Sequence, residues 1–138
     1  MTDHDVLMDA LRSGHGLSPE QAVAARLIDD RRSAQALPVL ERLATHPGAD
    51  LPADAPDPCD ALDTGSEVTI GVAAASLIGV LARADARSIA EVYDTLWTEV
   101  ARSPRLEGRA ADRLLLQVLL TRCFDARYAA LPPASAAA

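Results

Sequence analysis

Apolar positions along this chain recur every three or four residues, the spacing that gathers one side of an α-helix, and the clearest instance is Ile89, Val92, Tyr93, Leu96, Trp97 and Val100. The polar side of that pattern carries Arg87, Glu91, Asp94 and Glu99. Upstream, Asp3 or Thr2 is placed to cap a short first helix in which Val6, Leu7, Ala10 and Leu11 share a side, ended by Gly14 to Gly16. Ser18, Pro19 and Gln21 then make a strong helix start. The serine hydroxyl accepts from an orphan amide, proline sits where its missing donor is harmless, and glutamine occupies the capping-box position. This second helix is expected to run to about Ser33. Leu37, Leu40, Leu43 and Ala44 keep helical spacing in a third segment, which Pro38 either begins or kinks and which Pro47 and Gly48 close.

Between Thr45 and Ser66 the pattern stops, and Pro47, Pro52, Pro56 and Pro58 stand among Asp50, Asp54, Asp57, Asp60 and Asp63. Such a stretch reads as a long surface loop or linker at about 45–66. Thr64 or Ser66 can cap the next helix, whose residues from Val68 to Leu81 are apolar on every side, as in a helix surrounded by others; a strand over Val68 to Val72 is the competing reading. Gly71, Ala75 and Gly79, four apart, mark close packing of another helix backbone within the domain. Ser103 and Pro104 repeat the cap-then-proline signal and open a last helix that is apolar from Leu114 to Leu120 and ends on Cys123, Phe124 and Tyr128. The tail 132–138 reads as disordered. The sum is a single all-α domain over 1–131, an irregular bundle of about five to six helices. The run from Ser76 to Cys123 resembles, in texture alone, α-solenoid helix pairs of the armadillo or HEAT kind, with no repeat signature that aligns residue by residue.

Composition supports helices and narrows the chemistry. Nearly half of the 138 residues are hydrophobic, many of them alanine, which leads the helix scale and is depleted from strands. All thirteen basic residues are arginine, so Schiff-base chemistry, pyridoxal phosphate anchoring and a P-loop lysine are excluded. The net charge of −7 lies entirely upstream: residues 1–63 hold ten Asp, two Glu and five Arg, whereas eight acids and eight Arg balance in 64–138. An acidic chain is a poor ligand for nucleic acid and a better one for a protein with a basic surface. Two cysteines without CxxC spacing, no secretory signal at the start and no apolar run of spanning length predict a cytoplasmic protein outside the membrane.

Few residues suit catalysis. His4, His15 and His46 lack the HExxH or Glu-x-x-His pairing of a metal site, and only His46 with Cys59 and Asp60 offers a conceivable zinc or Cys–His group, which nothing local enforces. No GxGxxG, Walker or GxSxG sequence occurs, so no cofactor is expected. Asp29 with Asp30, and Glu91 with Asp94, lie beside arginines on polar sides and read as solubility and helix-pairing groups. Two constellations carry more. Arg105, Arg109 and Arg113 recur every four residues near the positive start of the last helix, where cations are disfavoured unless a carboxylate-bearing partner, or the chain's own acidic loop, meets them. Tyr93 with Trp97 and Phe124 with Tyr128 contain every aromatic residue; core packing is the plain account, and facing pairs lining a ligand pocket the sharper one.

These features predict a non-catalytic helical module acting through protein contacts, as an adaptor, accessory subunit, inhibitor or assembly factor, with a homodimer among the arrangements. The alternative is a small-molecule-binding helical domain or small enzyme with a pocket lined by Tyr93, Trp97 and Tyr128. DNA binding through the Ser18 to Ser33 helix, with Arg26, Arg31 and Arg32, is disfavoured because Asp29 and Asp30 would lie near phosphates.

Overall fold

The computed structural model describes residues 17–46 and 69–131. The expected first helix, the Pro/Asp-rich stretch from 47 to 66 and the tail 132–138 lie outside the described residues. Within them the chain forms five α-helices: α1 Pro19–Asp29, α2 Ser33–Thr45, α3 Ile70–Ala82, α4 Ile89–Arg102 and α5 Ala110–Ala130, with a 3-10 turn at Pro104–Leu106 before the last. No strand occurs among the described residues, so the alternative of a strand near Val68 to Val72 gives way to helix from Ile70.

The start of α1 follows its sequence signal. Gln21 N–H donates to Ser18 Oγ at 3.2 Å, Ser18 N–H donates to Gln21 Oε1 at 2.9 Å, and Pro19 stands in the first turn. The end of α1 was not readable. The helix stops at Asp29 rather than Ser33, because Arg31 turns into the left-handed region at φ 62°. Arg31 N–H then reaches the Ile28 carbonyl at 3.0 Å and Arg32 N–H the Leu27 carbonyl at 2.8 Å, which is the Schellman closure with arginine where glycine is usual. Helix α2 restarts at Ser33, so Pro38 lies inside the helix and does not begin it.

Helix α3 is the centre of the bundle. It packs on all four other helices, and eleven of its thirteen residues, from Gly71 to Ala82 except Val80, are buried. Thr69, rather than Thr64 or Ser66, caps it, its Oγ1 accepting from Val72 N–H at 3.2 Å. A second cap comes from α1: Asp29 Oδ1 accepts from Gly71 N–H at 2.8 Å and Oδ2 from the Thr69 hydroxyl at 2.6 Å. A carboxylate at a helix start satisfies orphan donors and meets the positive end of the dipole. The small-residue stripe serves packing within the domain. A Cβ at Gly71 would overlap the Ala25 carbonyl and stand 2.9 Å from Ala25 Cα, so α1 and α3 touch backbone to backbone. Gln21 Nε2 crosses the same interface to the Ala75 carbonyl at 3.2 Å.

Helix α5 packs on α2, α3 and α4 together, which makes the fold a bundle and not a solenoid, where each helix would meet only its sequence neighbours. The core so formed contains Leu40, Leu77, Ile78, Leu81, Ile89, Leu96, Leu120 and Cys123, all essentially inaccessible. Two arginines of α5 fasten the ends of the helices before it. Arg127 Nη2 donates to the Ala84 carbonyl at 2.9 Å, just past α3, and Arg113 Nη2 to the Ser103 carbonyl at 3.4 Å, just past α4. Carbonyls at helix ends lack intrahelical donors, so each guanidinium supplies one. Glu20, buried at the start of α1, pairs with Arg42 near the end of α2. Among the described residues, no helix is long and apolar enough to cross a membrane.

Candidate functional site

The aromatic residues converge, and they do so on the outer edge of the α4/α5 pair. Helix α4 is set by an Asp85 turn: Asp85 Oδ1 accepts from the Ser88 hydroxyl, from Ser88 N–H at 2.9 Å and from Arg87 N–H at 3.0 Å. Those hydrogen bonds, the hydroxyl first, hold the Asp85 carboxyl below its ordinary range. From this start Ile89, Leu96 and Val100 turn fully inward, Val92 and Tyr93 are half-buried, and Trp97 remains 37% exposed. One residue assigned to the polar side belongs elsewhere. Glu99 is buried, because three residues beyond Leu96 and seven beyond Val92 it falls on their side of the helix.

Helices α4 and α5 run antiparallel, with Tyr93 beside Thr121 and Ser103 beside Arg113. Tyr93 Oη lies 2.8 Å from Thr121 Oγ1, whose own proton is directed to the Gln117 carbonyl at 2.9 Å, so the tyrosine is the donor. Tyr93 stacks on Phe124 with ring centroids 4.3 Å apart; Trp97 lies 6.0 Å from Tyr93, and Tyr128 5.8 Å from Phe124. The two aromatic pairs therefore meet. At 4.3 Å the central rings are in contact and leave no room for a ligand between them, so the arrangement is a row and a ligand would lie over it.

The same two helices also carry the large apolar side chains that face water. Among the described residues the large apolar side chains left exposed are Trp97, Leu114 at 61%, Val118 at 47% and Tyr128 at 62%, and all four belong to α4 and α5. The antiparallel register brings Trp97, one turn past Tyr93, opposite the turn that holds Gln117 and Val118. In sequence, Leu114 and Val118 belong to a stretch, 114–120, that is apolar nearly all round. The structure divides that segment, burying Leu116, Leu119 and Leu120 and leaving Leu114 and Val118 to water.

The arginine series does not form a stripe on one helix. Glu107 is extended and Gly108 takes φ 77°, so the chain leaves the 3-10 turn and α5 begins only at Ala110. Arg105 consequently sits in the 3-10 turn, Arg109 in the position before the helix, and Arg113 in its first turn. Arg109 pairs with Asp112, Nε to Oδ2 at 2.7 Å, while Arg113 is committed to the Ser103 carbonyl. Gly108 was the readable sign of this break.

A concavity lies at the other end of α5 from Tyr128. It is an open cleft of about 480 Å³ where the end of α1 meets the starts of α2, α3 and α5, and its polar lining includes Asp29, Arg31, Thr69, Arg109 and Asp112. No motif marks it, since its residues come from three separate stretches of the chain. Asp29 is occupied by the start of α3 and Asp112 by Arg109, which leaves Arg31 as the charged lining residue without such a fixed use. No group of three metal-ligating side chains occurs among the described residues, and Cys59 and Asp60, the suggested companions of His46, lie outside them. Cys123 is sealed in the core, where burial pushes its thiol up to about 12. No protein-family model, curated protein or solved structure matches the chain, so the site is read from its own residues.

Proposed function

We propose that this protein is a non-catalytic helical contact module that binds another protein through the outer surface of α4 and α5. The observation that carries the reading is the confinement of exposed Trp97, Leu114, Val118 and Tyr128 to that one helix pair. Contiguous exposed apolar surface is kept small on monomeric proteins and marks binding sites where it occurs, and Trp and Tyr are favoured contact residues. The upstream acidic charge favours a partner with a basic surface, and a second copy of the chain is one candidate partner. Adaptor, accessory subunit, inhibitor and assembly factor are the roles this module suits, in the cytoplasm.

The test is the double variant Leu114→Asp/Val118→Asp. Both side chains face water, so its circular dichroism and melting temperature are expected to match the parent protein. Affinity capture from cells that make the protein, with each form as bait, is expected to retain a partner on the parent chain and lose it on the variant; the same partners on both baits overturn the reading. The competing small-molecule reading does not find its pocket at Tyr93, Trp97 and Tyr128, whose rings are in contact, and a different feature, the cleft at Arg31, is what supports a ligand. Thermal stabilisation of the protein by a metabolite, abolished by Arg31→Ala, is its measure.

A further inference from the structure

The cleft at the start of α5 is lined by polar groups that are in use and polar groups that are not. Both oxygens of Asp29 are taken, Oδ1 by Gly71 N–H at 2.8 Å and Oδ2 by the Thr69 hydroxyl at 2.6 Å. Asp112 is held by Arg109, whose Nε and Nη2 both lie 2.7 Å from Oδ2. Two lining groups have no such use. The Arg31 guanidinium and the Ser33 hydroxyl make no side-chain hydrogen bond or ion pair with any described residue.

Formal charges on the lining cancel, two arginines against two aspartates, so a count of charges selects no ligand. Availability does. The carboxylates are engaged within the fold, and the groups left open are a hydroxyl and a guanidinium, which offers five N–H donors and accepts nothing. A ligand that satisfies them must bring acceptors, and an ionised oxygen makes the shorter and stronger bond to an unpaired guanidinium. The backbone agrees in sign: α2, α3 and α5 begin at the cleft and α1 alone ends there, and helix starts carry positive partial charge. Beside these donors Ile28, Ile70 and Leu115 supply aliphatic surface. The cleft volume of about 480 Å³ lies within the range of small-molecule sites.

We infer that this cleft binds a small organic anion, a carboxylate or phosphate head held by Arg31 with the Ser33 hydroxyl beside it, and a short aliphatic body against Ile28, Ile70 and Leu115. The inference rests on the competing small-molecule reading above and gives its ligand a chemistry. It shares no residue with the contact surface, since Trp97, Leu114, Val118 and Tyr128 do not line the cleft.

The probes are hexanoate, hexyl phosphate, inorganic phosphate and hexylammonium, each titrated into the full chain at fixed ionic strength and followed by calorimetry. At least one of the two hexyl anions is expected to bind saturably below about 1 mM, and the tighter of them tells a carboxylate head from a phosphate head. Inorganic phosphate, which lacks the body, and hexylammonium, which has the wrong charge, are each expected to bind at least about tenfold more weakly. Arg31→Gln is expected to weaken the better hexyl anion about tenfold, whereas Arg32→Gln, the same change of charge one residue on and outside the cleft lining, leaves it within about twofold. Hexylammonium or inorganic phosphate binding as tightly as the better hexyl anion overturns the inference. So does the absence of saturable binding by every probe up to about 10 mM, or equal binding by Arg31→Gln and the parent. The small-molecule reading as a whole falls only if no metabolite stabilises the protein, and the contact reading falls separately, on the capture result with Leu114→Asp/Val118→Asp.

Discussion

The α1/α3 interface and the α4/α5 hairpin are both pairs of packed helices, yet they treat their residues in opposite ways. Between α1 and α3 the contacts are alanines and Gly71, the backbones touch, and almost nothing of α3 reaches water. Between α4 and α5 the contacts are rings and long aliphatics, and Trp97, Leu114, Val118 and Tyr128 are left exposed. The first pair is complete in the isolated chain. The second is complete on its inner edge only. The difference separates residues that hold the fold from residues free to do something else, and it can be tested by mutation on each side.

The largest effect is expected at Gly71. A Cβ there meets the Ala25 backbone, which cannot rotate away, so Gly71→Val is expected to cost more than about 3 kcal/mol or to prevent folding, as read by urea denaturation. At Gly79 the obstruction is the far end of Gln21, which can swing aside at the expense of its bond to Ala75. Gly79→Ala is therefore expected to cost only about 1 kcal/mol. Equal losses at both glycines would mean that the interface is looser than the backbone contact implies.

Leucines of the hairpin supply the next contrast. Leu96 is wholly inaccessible, and Leu96→Ala is expected to cost about 3 kcal/mol, whereas Leu114→Ala is expected to stay within about 0.5 kcal/mol of the parent. If Leu114→Ala destabilised the monomer as much as Leu96→Ala, its side chain would belong to the core and the proposed contact surface would shrink to the aromatic row.

How far this division could be read in advance depends on the kind of signal each region carries. Periodicity announced α4, the buried centre of α3 and the capped start of α1, because each rests on spacing or on a cap three residues away. It did not announce Glu99 as an inward residue or Leu114 and Val118 as outward ones. A nearly all-apolar helix has no phase until its neighbours choose one, and a charged residue at an inner phase looks polar in sequence. Asp29 was equally invisible as the cap of α3, forty-two residues before Gly71, since tertiary caps leave no local pattern. The cleft residues fail for the same reason.

Cys123 tests how dry the inner edge of the hairpin is. Its thiol is pushed up to about 12 from an ordinary 9.0, by burial first and then by the charge of Glu41. A raised folded-state value means that the contribution to stability is whole below about pH 9 and is lost as pH climbs through the folded value. The chain contains no lysine, so no ammonium side chain contributes to that window. Raising the pH from 8 to 10 is expected to lower unfolding free energy by about 1 kcal/mol through this thiol, and Cys123→Ala is expected to flatten that slope. An unchanged slope in the variant would show that water reaches the sulfur.

The smallest effects concern how each half of the molecule turns its corner. Arg31 and Gly108 adopt nearly the same left-handed backbone, at φ 62° and 77°, and both precede a new helix. Only Gly108 is suited to it. A Cβ at Gly108 meets no atom, so Gly108→Ala carries the backbone penalty alone, about 1 kcal/mol. Arg31→Gly has the opposite sign: it removes a left-handed penalty of about 1 kcal/mol and gives back part of it through the greater freedom of glycine in the unfolded chain. A net gain below about 1 kcal/mol is expected, visible as a small rise in melting temperature. Arg31 is the charged lining residue of the cleft that no neighbour holds, so the same substitution also probes the cleft. Should Arg31→Gly instead destabilise the protein, the side chain is anchoring the turn itself, and the cleft loses the residue that made it a competitor to the aromatic row.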